Sequence, residues 1–208
     1  MSSSNQSGRM MVKYPSSKSD PLCKWRVASI ETVIEFVSWL PKMKMTKERF
    51  RDYMTLRYGD TFFRTPYQLA LQLGLYYEDK GEYIPRFDHD ITKEEATAYM
   101  HKWMKLYYLP NPFTKRGFLN ITPSIILLQS LVDYLEENPH KPNLATAGAA
   151  LFGGEMGNIG CVKYVLNNYS NVIKVDCNND MELLLPIHGK SYVNYDRDDK
   201  RAFFEHFK

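Results

Sequence analysis

The sequence predicts a mainly α chain with small β-hairpins, an α+β fold built as two successive units. Three observations carry this. Apolar residues recur at helical spacing in several separate stretches; cap and proline signals punctuate them; and twice a set of helices is followed by two extended runs around a turn. The 208 residues suffice for one large domain or two small ones. With 44% apolar and 25% charged residues, wholesale disorder is excluded. No run approaches the roughly 18 uncharged apolar residues of a membrane helix, and the first residues hold no apolar run of the secretory kind. Cys23, Cys161 and Cys177 are odd in number and far apart, so they form neither a disulfide framework nor a zinc pair. A cytoplasmic, reducing setting is the expectation.

Taken in order, residues 1–27 lack periodicity and read as a flexible basic arm. Ile30, Val33, Ile34, Val37 and Leu40 share one helical face, and Pro41 stops that helix. Thr46 caps a second helix through about Arg57, with Gly59 as its terminator. Thr65-Pro66-Tyr67-Gln68 combines an N-cap, a proline at the first helical position and a capping-box glutamine. The short helix it starts ends near Gly74. Two extended runs follow, Leu75–Glu78 and Glu82–Phe87, around Asp79-Lys80-Gly81. Thr92-Lys93-Glu94-Glu95 is a second capping box, opening a helix to about Tyr108 with Pro110 behind it. Thr122-Pro123 starts the next helix, which Asn138-Pro139 ends. Helices over Leu144–Phe152 and Ile159–Tyr169 follow, separated by the glycine-rich stretch 153–160. The runs Val172–Asp176 and Glu182–Ile187 then flank Asn178-Asn179-Asp180. The last stretch, 191–208, reads as a polar C-terminal segment, either a linker or a helix docking back through Phe203, Phe204 and Phe207.

Residues 28–90 and 122–190 thus each read as helices followed by a hairpin, joined by a helix and loop at 91–121. That order is the order of a winged helix-turn-helix, so the expectation is two winged-helix subdomains in tandem. Charge is uneven as well. Residues 9–51 hold ten bases and four acids, although the whole chain is only +3. Such a quarter suits an acidic partner or a solvated lysine-rich surface. In a helix-turn-helix the capped helix after the turn enters the major groove, where side chains with paired donors and acceptors read base edges. Arg64, Tyr67, Gln68 and Gln72 fill that role in the first unit, and Asn158, Lys163 and Asn167 in the second. Lys80, Arg86 and Lys174 on the hairpins, with Lys24 and Arg26 on the arm, are phosphate candidates. Any solvated helix face carries some polar residues of these kinds.

Catalytic signatures are missing. The nearest match to a metal-dependent nuclease is Asp198-Asp199-Lys200, in a polar stretch rather than on a core strand. No histidine pair has helical metal-clamp spacing, although Asp88-His89-Asp90 offers local ligands. There is no G-x-S-x-G and no Walker lysine. No metal or cofactor is therefore expected in this chain.

Four stretches carry a resemblance. They are Thr65-Pro66-Tyr67-Gln68 through Gly74-Leu75, the hairpin Tyr77 to Ile84 around Gly81, the linking helix ending at Leu106–Pro112, and Asn120-Ile-Thr-Pro-Ser-Ile-Ile-Leu-Leu128. Over about residues 60–152 the chain resembles the N-terminal DNA-recognition region of type IIS restriction endonucleases and related nicking endonucleases. The resemblance implies tandem winged helices reading a short asymmetric DNA site. It also implies a metal-dependent cleavage domain C-terminal to them, and that domain, with any Mg²⁺ it needs, is not in this chain. The implied partners are double-stranded DNA and a separate nuclease domain or subunit, with no membrane. A winged-helix transcriptional regulator and a winged-helix protein-interaction adaptor are the alternatives.

Overall fold

The computed structural model describes residues 29–59, 65–107, 112, 128–152, 159–185 and 199–208, with the side chains of 65–68, 129–130, 152 and 161 left out. The arm 1–27, the helix start at Thr122-Pro123 and most of the glycine-rich stretch lie outside the described residues. The fold is mixed α+β, with small antiparallel sheets among helices.

The first unit opens with α1, Ile30–Trp39, which Ser29 caps by accepting the Thr32 N–H at 3.1 Å. It buries Ile30, Val33, Phe36 and Val37, with Leu40 buried at its end; Phe36 joins the expected face, and Ile34 is only half-buried. A short strand follows, β1, Met45–Thr46, which the sequence did not signal because two residues cannot display alternation. Thr46 then caps α2, Lys47–Tyr58, and Gly59 ends it at φ 62°. α3, Thr65–Gln72, leads into the hairpin of β2, Tyr76–Asp79, and β3, Glu82–Pro85. Lys80 and Gly81 both have positive φ, 47° and 83°, the combination that closes a two-residue hairpin with the right strand twist. The sheet is antiparallel in the order β1-β3-β2.

α4, Lys93–Leu106, starts at the anticipated capping box: the Thr92 hydroxyl accepts the Glu95 N–H, and the Glu95 carboxylate accepts the Thr92 N–H. Its buried face braces the end of α3. The Tyr99 hydroxyl donates to Leu73 O at 2.6 Å, and Trp103 Nε1 donates to Gln72 O at 3.3 Å. The same helix packs on α1 and on the helices of the second unit, so the buried residues of both units form one continuous core.

The second unit comprises α5 (Leu128–Glu137), α6 (Leu144–Phe152), α7 (Ile159–Tyr169), β4 (Ile173–Val175) and β5 (Met181–Leu183). Its strands are shorter than expected, because the ladder closes where Leu184 N–H donates to Val172 O. A single bridge, Asn143 to Asp180, stands where the first unit has β1.

The two units share a register. Thr46 pairs with Glu82, and Asn143 pairs with Asp180, each just before its unit's second helix. The first residue of that helix then donates across to the hairpin: Lys47 N–H to Gly81 O at 2.9 Å, and Leu144 N–H to Asn179 O at 2.8 Å. Gly81 and Asn179, the two acceptors, both sit at positive φ. On this alignment Tyr76 matches Ile173, Glu78 matches Val175 and Tyr83 matches Met181.

The chain ends on α8, Lys200–His206, capped by Asp199, whose Oδ1 accepts the Ala202 N–H at 2.8 Å. It docks back on the first unit. Phe203, Phe204 and Phe207 are buried, Phe207 lies against Trp103, and Phe204 covers Tyr77 of β2. His206 Nε2 contacts Leu106 O at 2.8 Å.

Candidate nucleic-acid interface

Three elements of the first unit meet at one edge. The bond from Lys47 N–H to Gly81 O sets the hairpin tip against the first turn of α2. The exposed Lys80 therefore lies beside a row of cations on and before α2. Lys44 Nζ is 2.7 Å from Glu82, which it holds below the usual carboxylate range. Lys47 Nζ is 3.0 Å and Arg51 Nη2 3.4 Å from the same oxygen of Glu78. Sequence reasoning counted Lys44, Lys47 and Arg51 in the basic first quarter without placing them in a site. The i, i+4 spacing of Lys47 and Arg51 was the available signal. On α3, Gln72 is half-buried and its side chain is engaged by no described partner, while Ala70 and Leu71, and Leu73 just after the helix, face the core.

Other expected contacts are placed differently. Arg86 is turned inward from the hairpin. Its Nε donates to Gly74 O at 3.0 Å, its Nη2 donates to Phe204 O, and its guanidinium lies 3.9 Å from the Phe204 ring centroid. Burial pushes its pKa down, against the pull of the neighbouring Tyr99. This arginine locks α8 to the fold and does not face a solvent-side phosphate.

In the second unit Asn167 spends its side chain on the hairpin. Its Nδ2 donates to Val175 O at 2.9 Å, and its Oδ1 accepts the Val175 N–H at 2.8 Å. Lys163 Nζ donates to Asp176 O, and exposed Lys174 stands opposite Glu182 in the strand register. Lys24, Arg26, Arg64 and Asn158, and the side chains of Tyr67 and Gln68, lie outside the described residues.

Comparison with protein-family models, curated proteins and solved structures returns no match. The site is therefore read from its own geometry. Among the described residues no group of three His, Cys, Asp or Glu side chains is arranged to hold a metal ion, and no helix is long and apolar enough to cross a membrane. His89 lies between Asp88, at 2.7 Å from Nδ1, and Glu95, at 3.1 Å from Nε2, and these contacts raise its pKa. Asp199, one of the acidic residues weighed as a nuclease ligand, serves as the α8 cap.

Proposed function

We propose that both units are winged helix-turn-helix subdomains and that the chain is a sequence-specific recognition module for double-stranded DNA. The observation that carries this is the repeated register. In each unit the residue before the second helix pairs with the residue that starts the return of the hairpin, Glu82 or Asp180, and the hairpin tip is tied to that helix's first turn. In each unit the third helix also packs against the first hairpin strand, and a winged helix uses a helix and hairpin set side by side to span a groove and the adjoining backbone. On this reading α3 presents Gln72, with Arg64, Tyr67 and Gln68 of the same helix start, to base edges. The start of α7 supplies Asn158, while Lys163 is engaged with Asp176 O of the hairpin. Lys80 and Lys174 at the hairpins, and Lys24 and Arg26 on the arm, meet phosphates.

The module fits the recognition half of a type IIS-like restriction endonuclease, with Mg²⁺-dependent cleavage carried outside this chain. Alanine variants test it. Arg64→Ala and Gln68→Ala each weaken the preferred site by about 1–3 kcal/mol while leaving random duplex little changed. Equal losses on both DNAs would refute the base-reading assignment.

A further inference from the structure

In the register shared by the two units, Glu78 of β2 and Val175 of β4 occupy the same place. Each lies two positions after a buried core residue, Tyr76 or Ile173, and each pairs with a buried residue of the last strand, Tyr83 or Met181. Both therefore point to the core face of their sheet. A valine satisfies the fold at this position.

The first unit carries a carboxylate there instead, only 3% exposed, with Oε2 making no hydrogen bond. A buried carboxylate with an unmet oxygen costs stability. Its other oxygen gathers Lys47 and Arg51, which lie one turn apart on α2. Their side chains remain 35% and 53% exposed, so each keeps donors available to solvent. Counting from the matched helix starts, the second unit has Leu144 and Gly148 at these positions. The acid and both cations are thus present together in one unit and absent together from the other.

We infer that Glu78 is a positioning residue, holding Lys47 and Arg51 as a preset pair of donors for one phosphodiester group of the DNA backbone, next to Lys80. This rests on the DNA-binding reading above and adds the site that unit uses. Arginine and lysine donors form strong charge-assisted bonds to phosphate. Long side chains fixed before binding lose less freedom on binding. Burying Glu78 with one oxygen unmet is a cost that a valine avoids, so its presence points to the cations it orients.

The test is binding of the full chain to a 20-base-pair duplex of random sequence, followed against salt. Lys47→Ala and Arg51→Ala are each expected to weaken binding about threefold to tenfold and to lower the salt slope by about one. Glu78→Val is expected to weaken binding about threefold although it removes a negative charge, with no fall in melting temperature. In the Glu78→Val background, Lys47→Ala then costs less than in the parent chain. Glu78→Gln, which keeps the shape and loses the charge, gives the same loss. Tighter binding by Glu78→Val, or an unchanged salt slope in both cation variants, would overturn the assignment. A parent chain without salt-dependent binding would overturn the DNA reading itself.

Discussion

His89 bridges two elements through side chains alone. Asp88 precedes it in the loop after β3, and Glu95 closes the α4 capping box. The hydrogen bond to Asp88, then that to Glu95, raises its pKa above the ordinary histidine value of 6.5. A group whose pKa is raised in the folded state stabilises fully below its unfolded pKa and ceases to do so as pH rises through the folded value. His89→Gln is therefore expected to lower the melting temperature at about pH 5 and to match the parent at about pH 9. A constant difference across that range would contradict it.

Arg86 behaves oppositely to the cations of α2. Arg86→Ala leaves Gly74 O and Phe204 O without their donor and is expected to cost about 2 kcal/mol in denaturant unfolding. The salt slope of DNA binding should stay unchanged. Sequence pattern alone gave Arg86 and Lys80 the same phosphate role, because which way a hairpin residue turns depends on what packs against the sheet. For Arg86 that is α8, 118 residues later in the chain.

At the scale of elements, caps and turns were legible. Thr46 and Thr92 stand at helix starts, and Lys80-Gly81 closes a hairpin, because these are local choices of hydroxyl or positive φ. β1 was not legible, since its two residues are fixed only by pairing with β3. The seat of α8 was equally hidden. Its three phenylalanines announce burial, while the surface they cover is set by Tyr77, Trp103 and Gly74 elsewhere in the sequence. Phe207→Ala is expected to cost about 3–5 kcal/mol, and Asp199→Ala about 1 kcal/mol through loss of the cap. Gly74→Ala should cost more than Gly81→Ala. Both glycines have positive φ, but a Cβ at Gly74 would meet Phe207 and Tyr99 at 3.1 Å, whereas Gly81 faces open space. Denaturant midpoints of the four variants check this ranking, and equal costs for the two glycine variants would contradict the docking of α8.

At the scale of the whole molecule, the order of elements in the sequence revealed the repeat although the residues of the two units differ. What order could not reveal was the register, in which a buried acid and two cations of one unit answer to a valine, a leucine and a glycine of the other. Such a comparison needs both hairpins aligned through their pairings. The asymmetry lies between two units with the same order of elements, around a single core that joins them through α4. On the proposed reading, such a module would bind an asymmetric site as a monomer rather than a palindrome as a dimer.

Selection of binding sites from a random duplex library, with affinity followed against salt, tests this most directly. One short asymmetric sequence is expected to be enriched, with an affinity that falls steeply as salt rises. Enrichment of a palindrome would make the chain a dimeric regulator, and no enrichment with no salt-dependent binding would contradict DNA recognition and turn both units toward a protein partner.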